Sequence, residues 1–171
     1  MRPAVDIRAA RPGEDEERVR LFLEGLSGAT LTNRFFLGPG RPSASLVRAM
    51  VAGDERRDAL LALRGDAVIG HAMSHLSDGA GGVEVEIALV VDDRWQGLGV
   101  GSGLVRTLLR RASVRGAVVV GMDVMAQNRR VLEMVRRMWP SATIDTLGTS
   151  VEIKARLAFA EQGSVGSPLT M

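Results

Sequence analysis

Apolar positions along the chain follow two periods, and the switches between them mark out its elements. Val5-Asp6-Ile7 alternates as a short first strand, which Arg11-Pro12-Gly13 breaks. Glu14, Asp15, Glu16 and Glu17 suit the first turn of a helix, and Val19, Phe22, Leu23 and Leu26 follow at i, i+3, i+4 and i+7 as its core-facing stripe. Thr30 to Leu37 reads as a short helix or turn closed by Gly38-Pro39-Gly40. Ser43 or Ser45 caps a helix carrying Leu46, Val47, Met50 and Val51 and ending near Gly53. Ala59 to Leu63 and Ala67 to Leu76 read as strands of a hairpin around Arg64-Gly65-Asp66. Ser77 to Gly82 is a flexible turn into a strand from Val83 to Val91. A helix over about 100–115, a strand from Ala117 to Val124, a helix over about 127–138 and two strands near 142–147 and 149–157 complete the pattern. The order β-α-α-β-β-β-α-β-α-β-β mixes antiparallel hairpins with one β-α-β unit, so the fold class is α/β in the α+β, mixed-sheet sense.

Composition narrows the chemistry. The 171 residues suit one domain, read as 1–160, followed by a polar, Gly- and Ser-containing tail, 161–171, expected to be flexible. No apolar run approaches the roughly 20 residues that span a bilayer, and the N-terminus lacks a secretory apolar stretch, so the chain reads as cytoplasmic. Without cysteine there are no disulfides, thiolate nucleophiles or cysteine-bound zinc. No metal-ligand spacing is present, so no metal is expected. The pI of about 10.2 suggests nucleic acid, but the net charge is only +2, from 22 basic and 20 acidic residues. With no tyrosine or cysteine and one lysine, Lys154, little titrates between neutrality and the arginines, so the pI drifts upward. The basic residues form no coherent run, which argues against a nucleic-acid partner.

The segment from Val90 to Leu104 carries the chemistry: a strand ends at Val91, and a glycine-rich turn leads into an amphipathic helix. Glycines let backbone N–H groups converge on an anion, and the helix N-terminus adds partial positive charge, which suits a phosphate or pyrophosphate. A P-loop needs Gly-Lys-Ser/Thr, and no lysine is near. A dinucleotide fingerprint started at Gly97 or Gly99 ends on Ser102 or Leu104 instead of Gly or Ala, and lies past mid-chain.

Gln96-Gly97-Leu98-Gly99-Val100-Gly101 resembles the Q/R-x-x-G-x-G/A signature of the GNAT superfamily of acetyl-CoA-dependent N-acetyltransferases. The preceding Asp93-Arg94-Trp95 and the later Asn128 resemble it too, over roughly residues 4 to 157. Leu26-Ser27-Gly28, Arg34-Phe35-Phe36 and Asn128-Arg129-Arg130-Val131-Leu132 resemble the bacterial protein lysine acetyltransferases of that superfamily. The resemblance implies the GNAT fold, acetyl-CoA as cosubstrate, and a primary amine, on a protein lysine or a small molecule, as acceptor. It implies cofactor contacts from the backbone of Gln96, Gly97, Leu98, Gly99, Val100, Gly101 and Ser102, from the strand backbone of Leu89, Val90 and Val91, and from Asn128, which also suits an N-cap. A homodimer is a further expectation, since the family often forms dimers.

Attack by an amine needs a base. Glu84 and Glu86 share one strand face, opposite Val83, Val85, Ile87 and Leu89. Glu86 matches the family's strand-borne glutamate and is the first choice, with Glu84 second; either could also be a solvated surface charge. The family's tyrosine acid has Val135 in its place, and Trp139-Pro140 replaces the usual Gly-Phe. His71 and His75 share a face and read as surface or hydrogen-bonded structural residues; with a hairpin turn near 79–80, His75 would oppose Glu84. Met122, Met125, Met134 and Met138 read as core filler. Two other readings stay open: a non-catalytic acyl-CoA-binding module, and a nucleotide-binding protein.

Overall fold

The computed structural model describes residues 4–36 and 42–158. Among these residues, seven strands form one mixed sheet: β1 (Asp6–Ala9), β2 (Arg57–Arg64), β3 (Ala67–Gly79), β4 (Gly82–Val91), β5 (Ala117–Met125), β6 (Thr143–Leu147) and β7 (Ser150–Arg156). Their spatial order is β1-β2-β3-β4-β5-β7-β6. Every neighbouring pair is antiparallel except β4 and β5. Among the described residues, five helices join them: α1 (Glu16–Glu24), α2 (Gly28–Phe35), α3 (Ala44–Val51), α4 (Val100–Val114) and α5 (Arg129–Met138). The expected order therefore holds with one helix added. Gly28–Phe35 form a true helix because the Ser27 side chain accepts from the Thr30 amide and Asp93 holds both residues. The Gly38-Pro39-Gly40 closure and the 161–171 tail lie outside the described residues.

Alternation along the strands splits the apolar side chains between two cores. One contains Leu60, Ile69, Val85 and Ile87 of the sheet with Leu104, Val105, Leu108 and Leu109 of α4. The other contains Leu61, Leu63, Val68 and Val90 with Val19, Phe22 and Leu23 of α1 and Val47, Met50 and Val51 of α3. Each fully buried leucine contributes roughly 1.5–3 kcal/mol of transfer free energy. The methionine reading holds in part: Met122 and Met134 are buried in the first core and Met138 packs against it, whereas Met125 belongs to neither.

Two features of the β3–β4 hairpin differ from expectation. Residues 77–79 continue the strand, so only Ala80 and Gly81 connect the two strands. The register follows: His75 opposes Glu86, and Ser77 opposes Glu84. A turn centred one residue later moves every partner by two positions, which leaves each side chain on its expected face.

Buried charge ties the edges together. Asp15, fully buried, accepts two hydrogen bonds from Arg8 at 2.7 and 2.8 Å, one from Arg18 at 3.0 Å and one from the Arg11 amide at 2.8 Å. The Arg8 hydrogen bonds dominate, and they hold this carboxyl far below the ordinary range. No described helix is long and apolar enough to cross a membrane.

Candidate active site

The site begins where β4 and β5 part. Their parallel pairing runs from Val83 opposite Ala117 to Glu86 opposite Gly121, and goes no further. Beyond that point β4 continues to Val91 paired with β3 alone, and β5 continues to Met125 paired with β7 alone. Each strand therefore turns an unpaired edge towards a V-shaped opening, a surface that an extended chain can join.

On one side of the opening lies a cleft of about 810 Å³. It is bordered by Leu89, Val90, Val91, Gln96, Gly97, Leu98, Gly99, Gly101, Ser102 and Asn128, so the structure brings together all but one of the expected cofactor residues. The exception is Val100, whose side chain is buried under the loop in the α4 core. A short 3-10 turn, Asp93–Trp95, precedes the loop. Gly97 and Gly99 then take φ of 74° and 89°, which open the path into α4. At Gly101 a Cβ would stand 3.3 Å from Leu89 Cδ1, so the helix start lies tight against β4. The amides of Val100, Gly101 and Ser102 open α4 and have no carbonyl one turn back to pair with.

Side chains lock this loop. Gln96 Nε2 donates to Val91 O at 3.0 Å and to Thr30 Oγ1 at 3.1 Å. Asp93 accepts from the Ser27 amide and from the Ser27 and Thr30 hydroxyls. Burial works against its charge, but these hydrogen bonds hold its carboxyl below the usual value. Asn128 caps α5, its Oδ1 accepting from the Val131 amide at 3.4 Å, and still borders the cleft, so the two roles foreseen for it are compatible. Exposed Arg106, Arg130 and Arg137 add positive charge to the rim. Sequence reasoning passed over these three, and the spacing of Arg130 and Arg137 on one helix was the available signal.

On the other side lies a smaller pocket of about 260 Å³, bordered by Glu86, Asp123, Phe36 and Met122 among others. Asn33, Arg34, Leu89, Asn128 and Val131 border both spaces. The two glutamates differ. Glu84 lies over Gly121, where a Cβ would sit 2.9 Å from its Oε1, and Lys154 Nζ reaches it at 3.1 Å across β5. Glu86 is exposed in the smaller pocket and makes no ion pair with a described residue.

His71 is fully buried, with Nε2 2.7 Å from Met50 O. A carbonyl only accepts, so Nε2 carries a proton. Burial lowers its pKa to about 4, and the nearby Arg34 adds to that effect. Val135 is buried in the first core and borders neither space. On consecutive residues of α2, Asn33 Oδ1 and Arg34 Nε are buried without a hydrogen-bond partner among the described residues.

A family model described as the acetyltransferase (GNAT) family matches residues 29–138. No curated protein matches the chain by sequence. Among solved structures, the GNAT domain of S. lividans PAT superposes with a TM-score of 0.79 at 26% identity, over 90% of each chain. PaiA N-acetyltransferase from Thermoplasma acidophilum, in complex with coenzyme A, superposes with a TM-score of 0.71 at 12% identity, over 90% of this chain and 99% of that one. Arabidopsis thaliana NAA60, in complex with acetyl-CoA, gives 0.66 at 15% identity, over 90% of this chain and 99% of that one.

Proposed function

Because the chain belongs to the acetyltransferase (GNAT) family, we propose that it moves the acetyl group of acetyl-CoA onto a primary amine, with Glu86 as the base. One observation carries this reading. The Gln96–Ser102 loop and Glu86 stand on opposite sides of a single opening between β4 and β5, and five residues border both sides. A thioester reaching through that opening from the loop side would meet an amine arriving from the Glu86 side.

In this reading the pyrophosphate lies on the amides of Val100, Gly101 and Ser102, at the positive end of α4, with Arg106, Arg130 and Arg137 within reach of the remaining phosphate charge. The pantetheine arm adds to the free edge of β4 at Leu89 and Val90; the Val91 carbonyl is already engaged by Gln96. Glu86, or a water that it holds, removes the proton of the incoming ammonium. The amine nitrogen then bonds to the thioester carbonyl carbon, the carbon–sulfur bond breaks, and the electron pair leaves on the CoA thiolate. With Val135 buried, no side chain is assigned to protonate that thiolate; its modest pKa lets it leave as the anion. Glu84, held by Lys154, is a sheet-surface ion pair in this scheme and not a second base.

Calorimetric titration with acetyl-CoA, against ATP and NAD, tests the cofactor. Glu86→Gln tests the chemistry: kcat should fall roughly 10²–10⁴-fold with acetyl-CoA affinity retained. Binding of a nucleotide in place of acetyl-CoA refutes the assignment of the loop. Binding of acetyl-CoA with no transfer to any amine would leave an acyl-CoA-binding module.

A further inference from the structure

Arg34 is out of place in this chain. Several arginine side chains meet carboxylates, Arg8 and Arg18 on Asp15, Arg111 and Arg115 on Asp58, Arg20 on Glu17 and Glu24, and others, such as Arg106, Arg130 and Arg137, lie exposed to solvent. Arg34, in the last turn of α2, has no carboxylate within ion-pair distance among the described residues. Its Nε is sealed from solvent with no hydrogen-bond partner among the described residues, its guanidinium carbon sits 4.8 Å from the centre of the Phe35 ring, and one terminal nitrogen meets Met73 Sδ at 3.2 Å. A thioether is a weak acceptor, so this half-buried cation lacks a strong hydrogen-bond partner among the described residues. Burial accordingly lowers its pKa to about 10.

The surroundings indicate what would complete it. The same 260 Å³ pocket carries Glu86 from β4 and Asp123 from β5, and neither pairs with a described cation. One wall thus offers an unsatisfied planar cation and another offers two free carboxylates. The guanidinium fork matches a carboxylate in two-point geometry, which a neutral carbonyl does not. A pocket of about 260 Å³ has room for a short amino acid.

We propose that Arg34 binds a carboxylate on the acceptor, so that the acceptor is a small amine bearing its own carboxylate, its ammonium towards Glu86 and Asp123. This deepens the transferase reading and rests on it. An internal lysine of a protein presents an ammonium on an uncharged stem and leaves Arg34 unsatisfied.

The test uses the full chain with saturating acetyl-CoA and follows CoA release with matched acceptors: alanine, β-alanine and 4-aminobutyrate, each against its own carboxamide, and a peptide with one internal lysine. The acid of at least one pair should exceed its amide in kcat/KM by about tenfold or more, with the difference in KM, and should exceed the peptide. R34Q should collapse that ratio towards one; calorimetry with acetyl-CoA certifies that the variant is folded. Failure of the wild type to bind acetyl-CoA sinks the transferase reading itself. With acetyl-CoA bound, equal rates within every pair, no turnover of any acid, or a faster lysine peptide overturns this proposal alone. So does an R34Q variant that shifts the pH–rate profile without changing the acid-to-amide ratio, which would make Arg34 a positioning residue for Glu86.

Discussion

Mild acid should destabilise this protein through His71 in particular. The ring is fully buried, its Nε2–H is committed to Met50 O, and its Nδ1 has no partner for a second proton among the described residues. Its ordinary value of 6.5 is therefore lowered to about 4 in the fold. The unfolded chain takes up this proton as pH falls through 6.5, while the folded chain does not until about 4, so the unfolded state gains stability throughout that window. At about pH 5 the unfolded ring is mostly charged and the folded ring mostly neutral, and linkage gives a loss of about 2 kcal/mol relative to about pH 7.5. Below about pH 4 the contribution levels off at about 3 kcal/mol. Urea unfolding of wild type and His71→Gln at both pH values isolates the effect, since other titrating groups are common to the two proteins. Glutamine keeps a donor for Met50 O and cannot titrate, so the variant should start less stable and lose about 2 kcal/mol less on acidification. Equal losses in both proteins would mean that His71 accepts its proton in the fold, and the argument from its burial would be wrong.

Asp15→Asn removes the counter-charge of Arg8 and Arg18 and should cost about 2–3 kcal/mol, read as a drop in the urea midpoint. In wild type the depressed Asp15 value adds stability that is complete above the ordinary carboxylate range and is lost as pH falls through the lower folded value, so the variant's stability should respond less to strong acid. Gly99→Ala forces a left-handed residue with φ of 89° at the start of α4, and should cost about 1–2 kcal/mol by thermal unfolding while weakening acetyl-CoA binding. Arg130→Ala should raise the calorimetric Kd for acetyl-CoA about tenfold at low ionic strength and less at high salt, because this rim charge is exposed and screened. Lys154→Ala should leave the urea midpoint nearly unchanged, since its pair with Glu84 is solvent-accessible.

The elements were legible in the sequence wherever period and punctuation agreed, as in α1 with its stripe from Val19 to Leu26, or β4 with glutamates on one face and Val85 and Ile87 on the other. The loop was legible because its glycines are demanded by backbone conformation, which a sequence records directly. What could not be read was set by distant residues. Helix α2 looked like a helix or a turn because Asp93, which holds Ser27 and Thr30, lies more than 60 positions away. The parting of β4 from β5 is a fact of pairing, and an alternation pattern is blind to which neighbour a strand keeps.

The two glutamates make the same point at the level of chemistry. By alternation Glu84 and Glu86 are equivalent, two carboxylates on one face of one strand. In the fold, Glu84 lies where β4 is still paired with β5, and Gly121, lacking a side chain, lets it cross to Lys154 seventy residues on. Glu86 is at the last paired position, beside the opening, with His75 across the ladder and Asp123 farther along β5. One register step therefore separates a surface ion pair from a carboxylate free to take a proton. For that reason Glu84→Gln is the control that gives Glu86→Gln its meaning. If both variants lost kcat alike, the sheet face and not the opening would be the reacting surface, and the acceptor pocket bounded by Arg34, Glu86 and Asp123 would have to be placed elsewhere.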